Sequence, residues 1–226
     1  MIAAPEPRPL TIEVSADVHV SGLLQTPSSA SACYVFAHGA GAGMTHRFMA
    51  TVASALADRG IATLRYQFPY MEKRQKRPDP PQVAHAAVRA AVAEARRHVP
   101  NLPLIAGGKS FGGRMTSQAQ AAQPLDGVLG VAFFGFPLHA AKKPSRERAA
   151  HLSNVTIPML FLQGTRDALA ELSELGPVVH SLGQRATLKL FEDADHSFHV
   201  PARSGRKDAE VLSEVLDAFA AWIAKL

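Results

Sequence analysis

The sequence predicts an α/β fold: a mostly parallel central sheet with helices on both faces and an antiparallel hairpin at its N-terminal edge. Three observations predict it. Five short apolar runs are continuous rather than alternating, which is the pattern of strands buried on both faces. Segments of helical periodicity fall between them, so strand and helix alternate along the chain. Ahead of them, two runs alternate apolar and polar residues as half-buried hairpin strands do.

The N-terminal pair, Leu10 to Val14 and Val18 to Gln25, flanks a Ser15-Ala16-Asp17 turn. The buried strands are 33–37 (CYVFA), 61–66 (IATLRY), 102–106 (LPLIA), 127–134 (GVLGVAFF) and 158–163 (PMLFLQ), with a further β-like run, TLKLF, at 187–191. Helical patterns occupy about 47–59, 82–98, 111–122 and 168–182, and an amphipathic helix closes the chain at about 206–225. No repeat or long linker divides the 226 residues, so 1–226 reads as a single domain, with the proline-rich 1–9 expected to be flexible. Only 23 residues run from Gly135 to Ile157, which excludes a large cap domain there and leaves the loop 67–81 as partial cover.

Hydrophobic residues at 47% and charged residues at 19% exclude disordered and fibrous classes. The single cysteine, Cys33, lies in an apolar run, which excludes a disulfide framework and a multi-cysteine metal site and points to a reducing compartment. The opening MIAAPEPRPL has no apolar core of a secretory signal, and the most apolar stretch, 127–137, falls short of the roughly 18 residues of a membrane span. The expectation is a soluble, cytoplasmic protein with no membrane partner.

In an open parallel sheet, ligands bind beyond the carboxyl ends of the strands, so the loops there should hold the chemistry. After 102–106 comes Gly107-Gly108-Lys109-Ser110-Phe111-Gly112-Gly113, containing G-x-S-x-G between a strand and a helix. That context defines a nucleophile elbow: the serine sits on a strained turn, and Gly108 and Gly112 must lack side chains for strand and helix to approach. Gly108-Lys109-Ser110 also resembles the end of a P-loop, but the glycine required five positions earlier is Pro103, inside the strand.

The loop after 33–37 reads His38-Gly39-Ala40-Gly41-Ala42-Gly43. Small residues there suit an oxyanion hole, with the amides of Ala40 and Phe111 as donors, Gly39 and Gly41 as loop support and His38 as a brace. A dinucleotide fingerprint starting at Gly39 fails at Met44, and one starting at Gly41 fails at His46. The acid and base of such a site follow in the order Ser, acid, His. Gly164-Thr165-Arg166-Asp167 places Asp167 after a strand, and Glu192-Asp193-Ala194-Asp195-His196-Ser197-Phe198-His199 supplies the histidine. The expected triad is Ser110, His196 and Asp167. His199 is the alternative base, and an N-cap is the alternative role of Asp167. Asp193, Asp195, His196 and His199 have no partner cluster elsewhere, so no metal site and no cofactor is expected.

With HGAGAG, GGKSFGG, LQGTRDAL and DADHSFH in this order, the chain resembles the α/β-hydrolase superfamily near its dienelactone-hydrolase-like branch. The stretch FPYMEKRQKRPDPP (68–81) is similar to that of small bacterial α/β-hydrolases with relatives among eukaryotic testis-expressed proteins and a histone-acetyltransferase-complex subunit. The resemblance runs from about Ala32 to the C-terminus and implies the fold, whereas the substrate does not follow from the fold. Dienelactone hydrolases carry a cysteine where this chain has Ser110, so their activity is not carried over.

The expectation is a serine hydrolase of the carboxylesterase or thioesterase kind, cleaving an ester, thioester or small amide. A non-catalytic interaction module and an acyltransferase are the alternatives. Lysine and arginine exceed aspartate and glutamate by 24 to 19, with a pI near 9.6. Twelve of the 24 fall in segments after strands, and Arg65, Lys73, Arg74, Lys142 and Lys143 are expected to rim the site and favour an anionic small-molecule acyl substrate. No nucleic acid partner is expected, and no motif specifies the oligomeric state.

Overall fold

The computed structural model describes residues 5–226. The chain opens with strands β1 (Arg8–Ser15) and β2 (Val18–Gln25), then β3 (Ala32–Ala37), helix α1 (Arg47–Ala57) and β4 (Ile61–Tyr66). A four-residue helix α2 (Pro69–Glu72) leads to α3 (Pro81–His98), β5 (Leu104–Lys109), α4 (Phe111–Ala122) and β6 (Val128–Phe134). The remainder is β7 (Met159–Gly164), α5 (Leu172–Ser181), β8 (Ala186–Phe191) and α6 (Asp208–Ile223). One eight-stranded sheet has the order β1-β2-β4-β3-β5-β6-β7-β8. The β1–β2 and β2–β4 pairs are antiparallel, and every other pair is parallel. The predicted mostly parallel sheet with its edge hairpin is thus the observed one.

Both faces are covered because the central strands alternate large apolar residues to either side. Cys33 and Val35 of β3, Ala62 and Leu64 of β4, and Val131 and Phe133 of β6 pack with α3, α4 and α5. Tyr34, Phe36, Ala132 and Phe134 point the other way, onto α1 and α6. Rings meet there: Tyr34 lies 5.0 Å from Phe36 and 4.8 Å from Phe219 of α6, between centroids. Its hydroxyl, which would be costly to bury unpaired, donates to the Ala132 carbonyl at 2.9 Å. The buried Cys33 thiol is pushed up to about 12 by loss of solvent.

Two expectations need correction. Of the segment 1–9, residues 1–4 lie outside the described residues, while Arg8 and Pro9 belong to β1 and pair with Leu24 and Leu23. The Gln25 side chain also donates to the Pro5 carbonyl at 2.9 Å, so the sheet edge holds this stretch in place. The helix expected at 168–182 begins at Leu172, because 165–170 is a turn closed by Asp167. No inserted domain follows β6: the interval to β7 carries a short bridge, Ala140 to Lys143, and a 3-10 segment, Glu147–Asn154. No helix among the described residues is long and apolar enough to cross a membrane.

Candidate active site

The carboxyl ends of β3, β5, β7 and β8 bring three separated side chains together. Ser110 stands between β5 and α4 with φ 50° and ψ −116°, a positive φ that is strained for any residue with a side chain. The strain is imposed by neighbours. A Cβ on Gly112 would meet the Ala37 and His38 carbonyl oxygens at 2.6 Å, and one on Gly108 would collide with the same Ala37 oxygen. Helix α4 therefore abuts the end of β3 with no room for a methyl group, and the turn between must be sharp enough to push Ser110 forward.

Ser110 Oγ lies 2.8 Å from His196 Nε2, and His196 Nδ1 lies 2.6 Å from Asp167 Oδ2. Asp167 is buried and shaped by two further donors: the Leu169 amide reaches Oδ1 at 2.8 Å, and the Gln163 side-chain amide reaches Oδ2. Gln163 Oε1 in turn accepts from the Phe136 amide at 2.9 Å. Asp167 therefore caps its own turn rather than α5, whose N-cap is Glu171. The histidine loop is folded by Asp195, whose Oδ1 accepts from the Ser197 and His199 amides at 2.7 and 3.0 Å. His199 faces away from Ser110 and pairs with Asp208 at 2.8 Å on the surface, which raises its pKa.

The β3 loop is tied down from behind. The Phe68 amide donates to His38 Nε2 at 3.1 Å, which leaves the proton on Nδ1 to donate to the Gly39 carbonyl at 2.8 Å. Burial holds His38 neutral by lowering its pKa to about 4. Beyond the buried Gly39, the Gly41 amide donates to the Tyr70 hydroxyl at 3.0 Å. The amides of Ala40 and Phe111 have no backbone acceptor among the described residues, and both residues line the same cleft as Ser110.

That cleft has two lobes of about 390 and 400 Å³ that share Ala40, Ser110 and Leu169. The first adds Phe111, Met115, Arg114 and Arg148, and is covered by Pro78 and Asp79 of the loop after α2 and by Pro81 at the start of α3. The second adds His196, Ala42, Phe48 and Met49. Lys109 also lines it; its ammonium donates to the His196 carbonyl and lies 5.8 and 5.6 Å from the Phe48 and Phe198 ring centres. Burial pulls this lysine down to about 8, against the opposing pull of Asp167 and Asp195.

The expected basic rim is not where the sequence places it. Arg65 is buried on β4, where its guanidinium reaches the Met44 carbonyl at 3.3 Å inside the fold. Lys73, Arg74, Lys142 and Lys143 are exposed but line neither lobe. The basic residues that do are Lys109 in the second lobe and Arg114 and Arg148 in the first. Arg148 sits in a cluster the sequence displays, and Arg114 was findable as the residue one helical turn beyond Ser110. Gln163 was also missed, although it is the one polar side chain in an otherwise apolar strand. A second serine–histidine contact, Ser117 Oγ to His151 Nε2 at 2.7 Å, lies behind α4. Ser117 is buried, no carboxylate contacts His151 among the described residues, and burial beside Arg114 lowers that histidine to about 4.

Comparison with known proteins agrees with this architecture. The chain is similar to the structure of a dienelactone hydrolase from Anabaena variabilis, at 21% identity and TM-score 0.78 over 98% of both chains. It is similar to an alpha-beta serine hydrolase homologue from Coxiella burnetii, at 19% identity and TM-score 0.75 over 93% of this chain and 96% of that one. A serine hydrolase without lid from Xanthomonas campestris matches at 20% identity and TM-score 0.73 over 96% and 95% of the two chains. At these identities the likeness is one of fold. The family described as an alpha/beta hydrolase domain matches residues 30–224, six of the eight strands and all of the site, and the chain belongs to that family.

Proposed function

We propose that this protein is a serine hydrolase that cleaves carboxylic esters or thioesters through Ser110, His196 and Asp167. The observation that carries the reading is the continuous chain of contacts, 2.8 Å from Ser110 to His196 and 2.6 Å from His196 to Asp167. With Nδ1 donating to the buried carboxylate, Nε2 is left as an acceptor for the serine proton. Ser110 Oγ attacks the carbonyl carbon while that proton passes to Nε2, and the oxyanion forms against the amides of Ala40 and Phe111. Collapse breaks the bond to the leaving oxygen or sulfur, which takes the proton from Nε2. Water then attacks the acyl-serine and gives a proton to His196; collapse breaks the bond to Ser110 Oγ, which takes that proton back from Nε2, and the carboxylic acid is released. The serine hydrolases among the structural relatives support this reading by analogy of fold.

The test is a fluorophosphonate probe, with the adduct located by mass spectrometry, on wild type, Ser110→Ala and His196→Ala. The expected result is labelling at Ser110 in wild type that both substitutions abolish, together with ester turnover that falls by about a thousandfold or more. Folded wild-type protein that takes no label and cleaves no ester would overturn the reading in favour of an interaction module.

A further inference from the structure

The first lobe of the cleft is lined by two cations and a single carboxylate that pairs with neither. Arg114 projects from α4 one turn beyond Ser110, and Arg148 from the 3-10 segment Glu147–Asn154; both line the lobe. Among the described residues neither guanidinium makes an ion pair or a side-chain hydrogen bond. Arg114 Nε is fully shielded from solvent with no acceptor. Burial lowers the Arg114 pKa and the neighbouring Arg148 lowers it further. The only carboxylate in the lining, Asp79, is turned to the Tyr70 amide at 2.9 Å. Two forked donors held together, partly desolvated and unpaired, are the arrangement an anion would complete.

The reaction geometry says which part of a substrate the lobe receives. His196 lines only the second lobe and must protonate the leaving atom, so the leaving group departs there, among Ala42, Phe48 and Met49. The acyl chain then extends to the other side of Ser110, past Phe111 and Met115 toward the arginines. We propose that Arg114 and Arg148 bind a carboxylate on the acyl chain, so that the substrates are half-esters or half-thioesters of short dicarboxylic acids with an apolar leaving group. The four residues from Ser110 to Arg114 rise about 6 Å along a helix, which suits an acid of about four to six carbons. This assignment rests on the serine-hydrolase reading above.

The test compares kcat/KM for monobenzyl glutarate and benzyl valerate, which share the alcohol and differ in the terminal carboxylate. Wild type should prefer the half-ester by about tenfold or more, and Arg148→Gln and Arg114→Met should each lower that ratio about tenfold. Arg148 is only partly buried, so its variant keeps the test open if the Arg114 variant fails to fold. A second readout needs no turnover: glutarate should slow fluorophosphonate labelling of Ser110 in wild type and lose that effect in Arg148→Gln. Turnover of the neutral ester with no preference for the half-ester overturns the anionic subsite and leaves the hydrolase standing. Protection by inorganic phosphate equal to that by glutarate marks an unselective anion site and also overturns it. Absence of labelling and of all ester cleavage removes the underlying reading, and this one with it.

Discussion

Asp167 has three jobs at one carboxylate: it orients His196, closes its own turn through the Leu169 amide, and anchors Gln163. Asp167→Asn can keep the turn through its carbonyl oxygen but presents the wrong charge to Nδ1–H. It should lower kcat by about a thousandfold to ten-thousandfold while the melting temperature moves little; steady-state kinetics beside thermal melts check this. Gly135 is a quieter requirement. Its φ is 70°, and a Cβ there would stand 3.2 Å from the His196 ring and 2.9 Å from Lys109 Nζ. Gly135→Ala should cost about 1–2 kcal/mol in folding from the left-handed backbone alone. By displacing the histidine it should also reduce kcat more than it changes KM. The meeting of Ser110, His196 and Asp167 was legible in the sequence because the proposed triad has a fixed order and a fixed kind of loop, and the glycines beside Ser110 are sterically compulsory. Arg65 was not, since a charge in a strand reads the same whether it points to solvent or, as here, folds inward to the Met44 carbonyl.

At the scale of elements, α2 is only four residues long, too short to leave a helical period, and the sequence shows it only as part of a loop. Its role is positional: it seats Tyr70 so that the hydroxyl accepts from the Gly41 amide, next to the Ala40 amide of the proposed oxyanion site. Tyr70→Phe removes that one bond, worth about 1 kcal/mol. It should cut kcat by about fivefold, with fluorophosphonate labelling of Ser110 retained. The central strands, by contrast, were readable to within three residues, because burial on both faces forces continuous apolar runs. The 3-10 segment Glu147–Asn154, which carries Arg148 and His151, was invisible for the same reason as α2: its short-period turns do not make a stripe.

For the whole molecule, two histidines that loss of solvent holds neutral, one buried and one half-buried, set an acid limit. His38 and His151 both have folded pKa values of about 4 against an ordinary value of 6.5. Between those values the unfolded chain binds more protons than the folded one, so stability is complete above about pH 6.5 and declines as pH falls toward 4. The loss is on the order of 2–3 kcal/mol per histidine. Thermal melts from pH 7 to 4.5 should show it, and His151→Gln should reduce the slope; an unchanged slope would mean that His151 titrates normally. The sheet also seals Cys33 in β3, with its thiol at about 12 and therefore almost no thiolate at neutral pH. Buried as well as protonated, Cys33 should leave the native protein silent to maleimides. A cysteine introduced at the exposed Val83, on the first turn of α3 close to the first lobe, would be its single reactive handle. A fluorophore attached there would report occupancy of the cleft without any need to remove a native thiol.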